Sequence, residues 1–299
     1  MKYFLDTEFL EGTQKKWYGE TKPTIDLISI GIVAEDDKEY YAISKDFNLK
    51  EAWNRYDLVK NGFRDCGMTP NYKRVYWIRE NVLKPIYLEL KEKEIYDNCK
   101  SDQKPYFDNF LIKEIILYSY NYNSSKKNYK EFKGLIKKYG KSNKQIAEEI
   151  KEFVYNKENI LYNHERCSIN DVGEVKSKPQ FYGYYSDYDW VVFCWLFGKM
   201  IDLPKGFPMF AFDLKQELDR KADSMTTMEI TDAVYGKGYM KHDVYKYADK
   251  KYPEFNVTKV NSLLSAANYS HPELKQTNEH NALADARWNR QLYNFLNTL

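Results

Sequence analysis

The chain has 299 residues, of which 43% are hydrophobic, 30% charged and 17% aromatic, with a formal net charge of +2. This composition excludes a disordered chain and supports a sizeable core, in one elaborated domain or two. No run of 18 apolar residues occurs, so we expect no membrane span, and Asp6 and Glu8 interrupt the N-terminal run too early for a signal peptide. The four cysteines form no C-x-x-C pair, so we expect a reduced, cytoplasmic setting.

Residues 1–9 predict a β-strand, because they are mostly aromatic and aliphatic and contain no Gly or Pro. Side chains alternate along a strand, so Asp6 and Glu8 point to the same face as Phe4. Two close carboxylates repel each other unless one is protonated or a cation joins them. Mg²⁺ and Mn²⁺ prefer such oxygen ligands, so the pair is either a metal site or two solvated acids on an edge strand.

Residues 24–34 and 39–44 predict two further strands, which complete a three-stranded antiparallel meander. Four residues near the acidic pair are candidates for substrate contact: Phe9 and Leu10 directly after it, and Lys15 and Trp17 in the loop that follows.

Residues 45–178 predict a mainly helical region, with helices at 74–83, 109–118, 129–139 and 143–154. The first of these is expected to end before Pro85. The segment from Lys104 to Lys141 contains nine lysines but only three acids, and tyrosines are interleaved with the lysines. Such a segment either binds single-stranded nucleic acid, through phosphates and stacked bases, or is a solvated helical face.

Residues 180–185 return to strand and lead into Asp187 and Asp189, which precede an apolar helix at 190–197. A short strand at 207–211 and a helix at 213–222 follow, the helix with Asp213 as a good N-cap. The last predicted helix covers 282–296, with a buried stripe of Ala282, Ala286, Leu292 and Leu296. His280 lies at its start and Asp285 one turn inside it, and imidazole can accept a proton from water near neutral pH.

Asp-x-Glu on the first strand, Tyr-Asp at a strand–helix junction and His-x₄-Asp on the last helix occur in this order along the chain. The combination resembles the DEDDh 3′–5′ exonucleases. Residues 3–10, 26–33, 39–44, 187–192 and 280–287 are most similar to the ribonuclease AS-like 3′–5′ exoribonucleases of bacteria and phages.

The resemblance implies an α/β, RNase H-like fold, with a mixed five-stranded sheet flanked by helices, in a single exonuclease domain over 1–299. It implies two Mg²⁺ or Mn²⁺ ions, bridged by Asp6. Glu8 and Asp285 would hold one ion, Asp189 would support the other, and His280 would be the general base. Asp187 competes with Asp189, which we prefer because it follows an aromatic residue.

The implied reaction removes nucleoside 5′-monophosphates from the 3′ end of single-stranded RNA, and the family also suggests a homodimer. Large helical insertions, at about 46–72, 86–140, 156–178 and 224–276, leave the substrate and the assembly open. Single-stranded DNA is the alternative substrate, because both polymers present the same phosphodiester. A nucleic-acid-binding module that does not cleave is the third interpretation.

Overall fold

The computed structural model describes residues 1–15, 21–64, 69–99, 109–159, 178–226, 229, 263–264, 274–276 and 278–299. The strands are β1 (Lys2–Lys15), β2 (Thr21–Ala34), β3 (Glu39–Ile43), β4 (Asp57–Arg64), β5 (Thr69–Val75), β6 (Gln180–Gly183) and β7 (Phe212–Asp213). The helices are α1 (Leu49–Asn54), α2 (Lys84–Asn98), α3 (Asn109–Tyr122), α4 (Ser125–Tyr139), α5 (Asn143–Asn159), α6 (Asp187–Phe197), α7 (Leu214–Ser224) and α8 (Ala282–Leu296).

The architecture is α/β, with a mixed five-stranded sheet in the order β3-β2-β1-β6-β7 and a separate two-stranded sheet of β4 and β5. Strand β1 is central, and it runs parallel to β6, which in turn runs parallel to β7. A short turn that begins after Ala34 joins β2 to β3. This arrangement is compatible with an RNase H-like fold. Within the described ranges, no helix is both long and apolar enough to cross a membrane.

The chain forms two compact units, and the prediction of a single domain stays a prediction. Unit 1 contains Met1–Thr7, Ile30–Tyr41 and Ala147–Leu299; unit 2 contains Glu8–Ser29 and Ala42–Ile146. Strands β1, β2 and β3 each run through both units.

In unit 1, the two faces of β1 are covered by different helices. Tyr3 stacks on Phe181 of β6, which packs against Trp190 and Phe193, so α6 covers the face of Tyr3. Phe4, on the other face, is buried in a cluster with Ala286 of α8. This division decides which acids can meet, because neighbouring residues of β1 project towards different helices.

In unit 2, aromatic side chains hold α2, α3 and α4 together. Phe132 of α4 is fully buried and contacts Trp53 of α1 and Tyr87 of α2. Tyr87 also contacts Tyr120 of α3. The lysine-rich segment therefore has an apolar inner side, as an amphipathic helix requires.

Two predicted elements differ from the structure. Residues 74–83 do not form a helix ending before Pro85: Arg74 lies in β5, and a π-helical turn at Arg79–Leu83 continues directly into α2. Pro85 lies at the point where the π-helical turn changes to regular α-helix, in the first turn of α2. The strand predicted at 207–211 is found instead at Phe212–Asp213.

The predicted insertions are only partly helical. The region 46–72 contains α1, β4 and the first part of β5, whose antiparallel pairing was not expected. The region 86–140 contains the rest of α2 together with α3 and α4, and α3 extends to Tyr122. Most of the regions 156–178 and 224–276 lies outside the described residues.

Candidate active site

Three of the predicted acids form a carboxylate cluster. One oxygen from each of Asp6, Glu8 and Asp285 lies within 4.8 Å of the other two. Asp6 and Glu8 follow one another on the same face of β1 and are half-buried, whereas Asp285 is buried in the first turn of α8. The cluster therefore joins residues that are almost 280 positions apart in the sequence.

Helix α8 reaches β1 because its first residues lie directly on the sheet. A Cβ atom placed on Gly31 of β2 would stand 2.3 Å from the carbonyl oxygen of Ala282, so only glycine permits this approach. One turn beyond Asp285, the buried side-chain amide of Asn289 donates to the carbonyl oxygen of Leu5 at 2.9 Å. Together, these two contacts fix the distance of α8 from the sheet and its position along β1, beside Asp6.

Both carboxylate oxygens of Asp285 accept hydrogen bonds. The side-chain amide of Gln276 donates to Oδ1 at 2.6 Å, and the backbone N–H of His280 donates to Oδ2 at 2.9 Å. Burial raises the pKa of Asp285, against the opposing effect of these two hydrogen bonds. The two donors set the orientation of the carboxylate within the cluster.

His280 adopts a left-handed backbone conformation, with φ at +66°. This conformation costs a non-glycine residue on the order of 1–3 kcal/mol and often marks a functional site. In this conformation, the backbone N–H of His280 points at Asp285. The next residue, Asn281, caps α8 by accepting from the N–H of Ala284. The backbone of His280 is therefore held against Asp285 at the start of the helix, and the residue is half-buried.

Asp189 is not part of the carboxylate cluster. It lies in the first turn of α6, the helix that covers the other face of β1, and its Oδ1 accepts from the backbone N–H of Thr7 at 2.9 Å and from the Thr7 hydroxyl at 2.6 Å. Burial raises the pKa of Asp189 to about 7; the Thr7 hydrogen bonds oppose that shift, and the charges of Asp213 and Asp285 add to it. The competing acid, Asp187, is exposed.

The chemistry of the donor set fits a hard divalent cation. Three carboxylates supply only oxygen ligands, which Mg²⁺ and Mn²⁺ prefer. Without a cation, burial disfavours the charged form of Asp285 and of Asp189. A divalent ion at the cluster would remove this penalty by compensating their negative charge.

The four candidates for substrate contact differ in burial and in position. Phe9 is half-buried, whereas Leu10 is 1% exposed. The side chain of Leu10 therefore lies in the interior, and a substrate contact by this residue stays a prediction. Lys15 is the last residue of β1, and Trp17 lies outside the described residues.

Sequence reasoning missed three residues around the cluster: Thr7, Gln276 and Asn289. Two of them carried a signal. Thr7 is a polar residue between the two acids of a strand, and Asn289 interrupts the apolar stripe of α8 four positions after Asp285. Gln276 lies in an irregular segment before α8 and had no periodic pattern to reveal it.

No protein-family profile matches the chain. Over 61 residues, it is 50% identical to two proteins of Mycobacterium tuberculosis, one from strain H37Rv and one from strain CDC 1551, each named a 3′–5′ exoribonuclease. The matched segment is 20% of this chain and 31% of each relative, so the chain spans about a third of the length of these relatives. This partial similarity supports a relationship to the 3′–5′ exoribonucleases.

Proposed function

We propose that the chain is a metal-dependent 3′–5′ exoribonuclease of the DEDDh type, which shortens single-stranded RNA from its 3′ end. The observation that carries the proposal is the carboxylate cluster of Asp6, Glu8 and Asp285, with His280 beside it. The partial similarity to proteins named 3′–5′ exoribonuclease supports RNA as the substrate.

In this proposal, Asp6, Glu8 and Asp285 would hold Mg²⁺ or Mn²⁺, and Asp6 would be a ligand of both ions that the family resemblance implies. When bound, the ions supply positive charge that acidifies a water molecule and stabilises the charge developing on the phosphate. Asp189 would support the second ion through its negative charge, and it holds Thr7, the residue between the two acids of β1.

His280 accepts a proton as the water oxygen attacks the phosphorus of the terminal linkage. The bond from phosphorus to the 3′ oxygen of the preceding nucleotide then breaks, and that oxygen takes up a proton. The products are a nucleoside 5′-monophosphate and an RNA chain that is one residue shorter, with a free 3′ hydroxyl. The hydrogen bond from the backbone N–H of His280 to Asp285 holds the backbone of this residue at the edge of the carboxylate cluster.

The test is a time course with a 5′-labelled single-stranded RNA in the presence of Mg²⁺ or Mn²⁺, beside a DNA of the same sequence. We expect a ladder of shortened RNA products and release of nucleoside 5′-monophosphates. Asp6→Asn is expected to abolish cleavage, whereas Asp223→Asn, at an exposed acid of α7, serves as the matched control. His280→Ala is expected to lower the rate by about 10²–10⁴-fold.

Each alternative has its own outcome in this assay. Faster shortening of the DNA than of the RNA would show that single-stranded DNA is the preferred substrate. An inert parent protein that still binds RNA would favour the module that binds without cleaving. Cleavage that survives Asp6→Asn would exclude the carboxylate cluster as the catalytic centre.

A further inference from the structure

Helix α4 of unit 2 carries six lysines and a single acid, Glu131. All six lysines are exposed, and four of them, Lys126, Lys130, Lys133 and Lys137, follow one another at intervals of four, three and four residues. This spacing places them on one face of the helix, over a length of about 16 Å. We call these four residues the lysine face.

The charges of the lysine face are not neutralised within the described part of the chain. None of the four lysines forms an ion pair with a described residue, although Lys91, Lys113 and Lys138 nearby all pair with glutamates. Glu131 is turned away towards α2, where it accepts from the Tyr87 hydroxyl and pairs with Lys91.

The surface around the lysine face is open. Gly134 lies between these lysines in the sequence, and a Cβ atom added to it would meet nothing within 4 Å. Glycine in an exposed helix interior costs about 0.5–1 kcal/mol relative to alanine and leaves the backbone accessible to a ligand. The exposed lysines therefore lie beside open space at Gly134.

Two exposed aromatic rings adjoin the lysine face in the sequence. Tyr118 and Tyr122, at the end of α3, are 62% and 75% exposed, and their ring centroids lie 4.2 Å apart. Lys126 follows Tyr122 by four residues, across a two-residue connection. Lysines that contact phosphates, together with aromatic rings that can stack on bases, are typical of surfaces that bind single strands.

We infer that the lysine face, together with Tyr118 and Tyr122, is a binding surface for single-stranded RNA that does not read base sequence. The lysines contact successive phosphates, and the two rings stack on bases. The choice of RNA as the polyanion rests on the proposed function, whereas the preference for a single strand rests on the exposed tyrosines.

Binding is measured by fluorescence anisotropy, with a labelled 12-nucleotide RNA in EDTA over a series of salt concentrations. Because no divalent metal is present, the result does not depend on whether the chain cleaves RNA, and a failure of the proposed function remains distinguishable. The variant replaces all four lysines of the face by glutamine. The control replaces four other exposed lysines of the same unit, Lys45, Lys50, Lys73 and Lys144, by glutamine.

Each phosphate contact contributes about 0.7 to the slope of log Kd against log salt concentration for a single strand. We expect the lysine-face variant to lower this slope by about 3 and the control variant to leave it almost unchanged. Tyr118→Ala with Tyr122→Ala is expected to weaken binding at least about 5-fold without changing the slope. A lysine-face variant with the affinity and slope of the parent, an equal loss in the control, or tyrosine variants with unchanged binding would each overturn the inference.

Discussion

The buried carboxylate of Asp189 accepts two hydrogen bonds from Thr7, one from its backbone N–H and one from its hydroxyl. Thr7 lies between Asp6 and Glu8 but projects towards the opposite face of β1, where α6 packs. The contact therefore ties α6 to the segment of strand that carries two members of the carboxylate cluster.

Thr7→Val tests how much this contact stabilises the fold. Valine keeps the shape and the strand preference of threonine but removes the hydroxyl, which leaves a buried carboxylate with one donor fewer. We expect the free energy of unfolding, measured by urea titration in EDTA, to fall by about 1–3 kcal/mol. Thr7→Ser retains the hydroxyl and should lose less than half of that amount; equal losses would show that the hydroxyl is not what matters.

The raised pKa values predict how stability depends on pH without metal. Burial raises the pKa of Asp189 to about 7 and also raises that of Asp285, so the folded state retains protons that the unfolded chain releases near pH 4. The free energy of unfolding should therefore decrease as pH rises from about 4 to 7, by at most about 1.4 kcal/mol per pH unit for one group, and then level off.

A divalent cation should reverse this trend, because it favours the ionised carboxylates. In thermal-shift measurements, Mg²⁺ should stabilise the protein more at pH 8 than at pH 5. Asp189→Asn, whose amide oxygen can still accept from Thr7, should flatten the dependence between pH 4 and 7. A stability in EDTA that increases over this range would contradict the assigned direction of the shift.

Gly31 and Gly134 form a matched pair of glycine-to-alanine tests with opposite expected signs. Gly31→Ala would drive a Cβ atom into the backbone of Ala282, so we expect a loss of more than about 3 kcal/mol or a displaced α8. Gly134→Ala fills open space on α4 and should stabilise the protein by about 0.5–1 kcal/mol. A neutral Gly31→Ala, measured by urea unfolding, would contradict the close approach of α8 to the sheet.

Gln276 is predicted to act through Asp285, because its amide holds one oxygen of that carboxylate. Residues that orient a metal ligand typically contribute 10–100-fold to metal affinity. We expect Gln276→Ala to weaken Mn²⁺ binding by about that factor in calorimetric titrations. Gln216→Ala, at an exposed glutamine of α7, is the control, and equal affinities for the two variants would exclude the positioning role.

The elements that the sequence predicted well combine a strong apolar period with a capping residue. Helix α8 has the predicted bounds and buries the predicted stripe of alanines and leucines. Helix α7 begins after Asp213, whose carboxylate caps it by accepting from Lys215 and Gln216. In both helices, local signals and tertiary packing agree.

The β4–β5 pair was not predictable in this way, because its apolar residues are not buried on one face. Leu58 and Val59 on β4 and Tyr72 on β5 are all substantially exposed, so no alternation of apolar and polar residues marks the strands. The position of Asp189 relative to the other acids could not be predicted from the sequence either. A sequence can show that an acid starts a helix, but not which face of a neighbouring strand that helix covers.

The most direct test of the metal centre is a crystal grown with Mn²⁺ and measured for anomalous scattering. We predict Mn²⁺ at the carboxylate cluster, bound by oxygens of Asp6, Glu8 and Asp285, together with a second ion that has Asp6 among its ligands. An anomalous map with no peak at the carboxylate cluster, at a Mn²⁺ concentration that saturates binding in solution, would contradict the proposal that these acids hold the catalytic ions.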